Sequence, residues 1–321
     1  MSRQKYISIV IPNRFSLYGY AVASELFRYA NEELGQQHYV TVPVSAKPGL
    51  VKCSNGTEIN ATAALGEISE ADTIIVCSSV RASGTAPPRE LINWLRTQHR
   101  LGTPICALGS AVWTIAETGL LDGRACAAHW TEISALRHTY SGIHFSKQMF
   151  TTANHVWVCS GGDSVTDMLL HFLGQYHGVE LSKRIRRKLI LKPSLSGSDP
   201  RDTMFHSNAS DMELVGERFL EFVEARVDNP QSIAEICEQL LISQRTLNRY
   251  CHALFSQSPK EMYLDIRLRQ AQHLLLCTDL KVEDVAAGCG FKAPGHFAQI
   301  FNRKFGCSPS GFRNARPAPE Y

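Results

Sequence analysis

Short runs of β-branched and aromatic residues, each bounded by turn-forming residues, recur through the first half of the chain: "YISIVIP", "HYVTVPVSA", "ADTIIVCSS" and "GTPICALGS". Between them lie stretches with apolar residues at helical spacing, such as "YAVASELFRYANEEL" and "PRELINWLRTQH". Strands alternating with helices of this length predict βαβ units, and hence a mostly parallel sheet covered on both faces. The pattern continues to about residue 192 and closes with "TTANHVWVCSGGDSVTDMLLHFLGQYHG", which reads as strand, glycine turn and helix. A basic run, "SKRIRRKLILK", follows. Its interleaved Ile185, Leu189, Ile190 and Leu191 predict a solvated helix face rather than a DNA arm.

Residues 193–210, "PSLSGSDPRDTMFHSNAS", lose apolar periodicity and gather Pro, Ser, Asp and Gly, the composition of an interdomain linker. Beyond it every segment reads as helix. "DMELVGERFLEFVEARV" begins at a capping Asp and stops before "DNP". The predicted organisation is an α/β domain over 1–192, a linker over 193–210 and an all-α domain over 211–321.

The all-α part contains a repeat. "SIAEICEQLLISQRTLNRYCHALFSQSP" (232–259) aligns with "KVEDVAAGCGFKAPGHFAQIFNRKFGCSP" (281–309), with one extra residue in the second copy. Ile233 meets Val282, Ile236 meets Val285, Leu240 meets Cys289, Leu247 meets Phe297, Phe255 meets Phe305 and Pro259 meets Pro309. Each copy spells a short helix, a tight turn and a second helix: a helix-turn-helix at about 231–256 and another at about 281–305. In the first copy Leu247, Tyr250, Cys251 and Leu254 share one face of the second helix. Gln244, Arg245, Asn248 and Arg249 take the other. Arg pairs with guanine and Gln or Asn with adenine in the major groove, so this face is the expected reader of double-stranded DNA. The matching helix of the second copy carries Pro294, Gly295, Ala298 and Gln299. Its expected contacts are Lys292, Arg303 and Lys304 on phosphates, with His296 and Gln299 as candidates for base edges. Two such units on one chain can enter successive major grooves about 34 Å apart.

Bulk properties narrow the class without selecting it. A chain of 321 residues with 44% hydrophobic and 20% charged residues is ordinary globular protein of two-domain size. A net charge of +3 makes the basic positions informative by place, not by number. The ten cysteines show no Cys-x-x-Cys pair, so neither a zinc site nor a disulfide framework is expected, and no cofactor either. Reduced thiols, a short apolar stretch at the amino terminus and the lack of any long apolar run predict a cytoplasmic protein with no membrane partner.

Residues 213–313, including "IRLRQAQHLL" with Arg267, Leu268, Ala271, Leu274 and Leu275, and the closing "FNRKFGCSPSGFR", resemble the AraC/XylS family of transcription regulators. "APGHFAQ" departs from the serines and arginine the family usually shows at the second reading helix. In the first domain "ELFRYAN", "SNGTEI", "ETGLLDGRACAAHW" and "CSGGDSVTDMLLHFL" resemble the amino-terminal domain of GlxA-type regulators, similar to the PfpI-like or class I glutamine-amidotransferase-like α/β fold. The resemblance implies a DNA-binding regulator, by family habit an activator that would engage RNA polymerase. It also implies a homodimer answering to an amino acid or betaine-like effector.

Catalytic members of this fold hold a cysteine on a sharp strand-to-helix elbow. Counted from "GLLDG", that position falls on Gly109, followed by Ser110, while Cys106 lies on the incoming strand. No catalytic residue is therefore expected. The elbow becomes a ligand pocket at the carboxyl ends of the strands, with helix-start amides suited to a carboxylate. Its expected lining is Tyr18, Glu25, Gly109, Ser110, Trp113, His129 and Trp130, with Glu25 where PfpI-like folds point a glutamate at the elbow. One tyrosine and two tryptophans would also suit a quaternary ammonium. The alternatives are an amidase or glyoxalase-like enzyme fused to a DNA-binding domain, and a ligand-free dimerisation scaffold.

Overall fold

The computed structural model of the chain describes residues 3–68, 71–78, 87–191, 211–278 and 280–315. The linker expected at 193–210 lies outside them. The described residues up to Leu191 form one compact unit, and those from Asp211 onward form a second.

The first unit runs β1 (Lys5–Val10), α1 (Leu17–Leu34), β2 (Tyr39–Ser45), β3 (Gly49–Lys52), β4 (Glu58–Ala61), β5 (Ala63–Ala64), β6 (Thr73–Cys77), α2 (Arg89–Arg100) and β7 (Ile105–Leu108). It continues through α3 (Val112–Glu117), β8 (Ala125–Ala127), α4 (Trp130–Thr139), β9 (His144–Ser146), β10 (Phe150–Ala153), β11 (Val156–Cys159), α5 (Ser164–His177) and α6 (Val179–Lys188). Seven strands form one sheet in the order β10-β11-β7-β6-β1-β2-β5. All of its pairs are parallel except the edge pair β10–β11. The fold class expected from the alternating pattern is the one observed. The central strands β6, β7 and β11 are buried throughout, as strands covered on both faces must be. Two small pairs, β3–β4 and β8–β9, stand outside the sheet. Periodicity had no means of separating these short segments from loops.

Because the connections are crossovers, β1, β7 and β11 all point their carboxyl ends at the same edge, and α1, α3 and α5 all start there. At α1 the Ser16 hydroxyl accepts the Gly19 amide at 3.2 Å, and Gly35 closes the helix in the left-handed region at φ 65°.

The second unit is helical: α7 (Asp211–Ala225), α8 (Ile233–Leu240), α9 (Gln244–Phe255), α10 (Pro259–Cys277), α11 (Val282–Gly288), α12 (Pro294–Phe305) and α13 (Pro309–Asn314). The repeated "Phe…Ser-Pro" punctuation is a helix stop followed by a restart. Ser256 (φ 57°) and Gly306 (φ 75°) end α9 and α12 in the left-handed region. Two residues later Ser258 and Ser308 cap the next helix, with Pro259 and Pro309 in its first turn. Ser258 and Glu261 complete a capping box, as Ser232 and Glu235 do at α8. Both turns inside the helix-turn-helix units also use left-handed residues, Leu241 at φ 59° and Gly290 at φ 73°. Gly290 is further constrained because a Cβ there would lie 2.5 Å from Pro230 Cδ and 2.7 Å from the Val227 carbonyl.

Candidate ligand site and nucleic-acid interface

The sharp turn after β7 places Gly109 at φ 58°, against Gly161 of the β11–α5 loop; a Cβ on Gly161 would stand 3.2 Å from Gly109 Cα. The two strand ends can approach this closely only because both residues are glycine. Gly19 of α1 faces Leu108, the last residue of β7. Tyr18 then spans the gap, its phenol donating to Asp163 Oδ1 at 3.2 Å. Burial and the neighbouring Asp163 charge push that phenol's pKa up. Tyr18, Gly109 and Ser110 thus lie together around the elbow at the carboxyl ends of the strands.

The elbow position itself carries no side chain, and Cys106 is fully buried on β7. Burial, with Cys159 adding to it, raises its thiol well above the ordinary range, the opposite of an activated nucleophile. No disulfide joins the described cysteines.

Ser110 donates to Glu132 Oε1 at 2.5 Å. Glu132, in the first turn of α4, is 2% exposed, and burial pushes its carboxyl up to about 7 against the lowering pull of the Ser110 hydroxyl and the Trp113 indole. Sequence reasoning missed this acid, because a glutamate three residues into a helix reads as ordinary first-turn charge. It also missed Asp163, although "GGD" ahead of a helix was a usable turn signal.

Glu25 and Trp113 do not line an open mouth. Glu25 is exposed on the outer face of α1, with its carboxylate 2.6 Å from Arg28. The face of α1 turned inward is Gly19, Ala23, Leu26, Phe27 and Ala30, and helical periodicity puts position 25 opposite it. Trp113 is 2% exposed and packs edge-on to Tyr140 at 6.1 Å, because α3 enters the core directly after the elbow. It supports Glu132 from behind and is not an open wall of an aromatic box. His129 caps α4: its Nδ1 accepts the Thr131 amide and sits 2.7 Å from the Thr131 hydroxyl. Trp130, half-buried, lies against it with ring centroids 5.6 Å apart.

In the second unit Gln244, Arg245, Asn248 and Arg249 are all exposed on α9, while Leu247 and Cys251 are buried beneath them. Lys292, His296, Gln299 and Arg303 are likewise exposed around α12. Lys304 is exposed as well, and it has a partner within the unit. Its ammonium lies 2.5 Å from Asp265 of α10, which also pairs with Arg269 at 2.9 Å. Although burial opposes it, the Lys304 and Arg269 partners hold the Asp265 carboxyl below its usual range. Arg267, from the segment resembling the AraC/XylS pattern, donates to the Cys289 carbonyl at 2.8 Å and stacks over Phe291 at 4.0 Å. It thereby fixes the second turn to α10.

Comparison with known proteins matches this architecture. Residues 5–175 fit the DJ-1/PfpI family model, and residues 236–315 fit the model of a helix-turn-helix domain. The chain belongs to the DJ-1/PfpI family, in the branch that carries an AraC-type helix-turn-helix domain behind it. It is 29% identical to the HTH-type transcriptional regulator GbdR of Pseudomonas aeruginosa, over 97% of this chain and 84% of that protein. It is 26% identical to the HTH-type transcriptional regulator GlxA of Rhizobium meliloti, over 96% and 95%. The α/β unit has the fold of an AraC family transcriptional regulator from Pseudomonas putida: TM-score 0.53, 20% identity, 58% of this chain and 99% of that one. Among the described residues no helix is long and apolar enough to cross a membrane.

Proposed function

We propose that this chain is a cytoplasmic, dimeric transcription regulator that reads DNA chiefly through α9 and answers to a small metabolite at the mouth of its α/β unit. The observation that carries the DNA reading is the exposed quartet Gln244, Arg245, Asn248 and Arg249 on a helix whose opposite face is buried. The two full-length relatives above, both transcriptional regulators, support it. α12 adds Lys292 and Arg303 as phosphate contacts and Gln299 and His296 toward base edges. Activation through RNA polymerase is the direction the family resemblance favours.

The sensing reading rests on a nucleophile position occupied by Gly109, beside a cluster of hydrogen-bonded polar groups, Ser110–Glu132 and Tyr18–Asp163. Helix-start amides alone would suit a carboxylate. The side chains gathered there bring two carboxylates, Asp163 and Glu132, and Ser110 commits its proton to one of them. Its remaining lone pairs favour a group with N–H or O–H donors, such as the ammonium end of an amino acid. A thermal-shift screen of the full chain against amino acids, betaines, carnitine, choline and polyamines tests this. The expected result is stabilisation by one compound class that Ser110→Ala abolishes. A flat screen with a folded dimer would leave the domain as a scaffold.

The 2.5 Å Ser110–Glu132 hydrogen bond also favours a second reading, a hydrolase of the amidase kind with serine as nucleophile. Turnover of amide or ester substrates by the wild-type chain, lost in both Ser110→Ala and Glu132→Gln, would establish it against the sensor.

A further inference from the structure

The basic run after α5 keeps Lys183, Arg184, Arg187 and Lys188 exposed, as a solvated helix face does, but Arg186 is docked. Within α6 the Arg186 guanidinium is 13% exposed and ion-paired with Asp167 of α5, itself 7% exposed. Ser182 donates to the Leu170 carbonyl at 2.6 Å. On its other side Arg184 lies 3.0 Å from Glu33, and Lys188 lies 2.7 Å from Glu32, both at the end of α1. The helices that grip α6, α1 and α5, are two of the three that start at the mouth, and Tyr18–Asp163 ties their starting ends together.

α6 ends under strain. Leu191 N–H reaches the Arg186 carbonyl at 3.0 Å and Ile190 N–H the Arg187 carbonyl at 3.1 Å, a Schellman closure whose left-handed position is normally glycine. Here it is Ile190, at φ 53° and 92% exposed. A β-branched residue is disfavoured in this region, and its side chain is too exposed to repay the strain by packing. Arg186 is thus the residue that both receives the closing hydrogen bond and is clamped to α5. The next residues in the chain lead toward the DNA-binding unit.

We propose that α6 is a strained relay: a change at the mouth shifts α1 against α5, loosens the Asp167–Arg186 clamp and lets the turn at Ile190 open at the exit of the α/β unit. The idea rests on the mouth being a sensor site, but its test needs no effector. Hydrogen exchange followed by mass spectrometry on the full chain would compare wild type with Tyr18→Phe, which removes the phenol's bond to Asp163. Exchange over residues 186–191 is expected to rise about three- to tenfold, the change that loss of one hydrogen bond makes in a local opening equilibrium. Thr103→Val, which removes a buried hydroxyl bonded to the Ala71 carbonyl on another part of the unit, should leave that segment unchanged. Ile190→Gly should slow its exchange and suppress the Tyr18→Phe response. Wild-type exchange over 186–191 in Tyr18→Phe, an equal rise in Thr103→Val, or no slowing in Ile190→Gly would each overturn the relay. A flat compound screen with this coupling intact would refute the sensor and leave the relay standing.

Discussion

The interior of the first helix-turn-helix is aliphatic, built on Ile236, Leu240 and Leu247 with Cys251, under Phe219 and Val223 of α7. That of the second is aromatic: Phe301 touches Phe297, Phe305 and Phe312 at ring distances of 5.5, 4.5 and 5.6 Å. Each of the six residue pairs matched between the copies nevertheless falls in the same burial class in both. The duplication has preserved where apolar volume goes while changing what fills it. On the outside even the chemistry diverges: α9 presents two arginines, a glutamine and an asparagine, whereas α12 opens on Pro294 and Gly295 with no side-chain cap. Burial is imposed by the fold, whereas the exposed face is left to the ligand. The copies should therefore be interchangeable in architecture and unequal in reading.

The largest effect should come from the aromatic hub. Phe301→Ala is expected to cost about 3–5 kcal/mol and Leu247→Ala about 2–5, both read as loss of the second unit's unfolding transition in urea. Equal, small losses would mean that neither copy depends on its filling.

Next, the shared turn position should respond with opposite signs. Gly290→Ala meets Pro230 and the Val227 carbonyl at a left-handed φ and should destabilise by roughly 2–4 kcal/mol. Leu241→Gly, at 88% exposure and φ 59°, should be neutral or stabilising by up to about 1 kcal/mol. Melting curves of the two variants decide it.

In DNA binding, Arg249→Ala should cost about 1–3 kcal/mol and relax base preference, measured by titration against site variants. Gln299→Ala should cost less; an equal loss would erase the asymmetry between the copies. Arg303→Ala should flatten the salt dependence by about one charge. Lys304→Ala should act mainly on stability through Asp265.

The smallest effect concerns pH. Asp265 has a folded-state pKa below its unfolded value of about 3.9, so its contribution is present above that value and fades as pH falls through the folded pKa. Acid titration of unfolding should show a shallower loss of stability below about pH 4 in Asp265→Asn than in wild type.

The helix-turn-helix pair was legible because its signals are local. Apolar spacing, a serine cap and a proline in the first turn act within one or two helical turns. Cys106 was legible for a similar reason, since a residue in the middle of a four-residue buried strand has nowhere else to go. The mouth was legible only in outline. Tyr18, Gly109 and Ser110 could be placed by counting along strand and turn, but Glu25 was displaced by helical phase, since position 25 faces away from the strand ends that Gly19 faces.

The sequence alone determined the two kinds of domain, the duplication and the exposed polar face of α9, because hydrophobic period and capping chemistry depend on residues a few positions apart. Tertiary structure decided what meets what. It brought Glu132 beneath Ser110, 22 positions away, and joined Tyr18 to Asp163 across 145. It also set Lys304 on Asp265 and buried Arg186 on Asp167. The physical reason is that a charge on an amphipathic helix looks alike in sequence whether it faces water or a partner. Only the packing of a second element onto that face removes the water and gives the group its role.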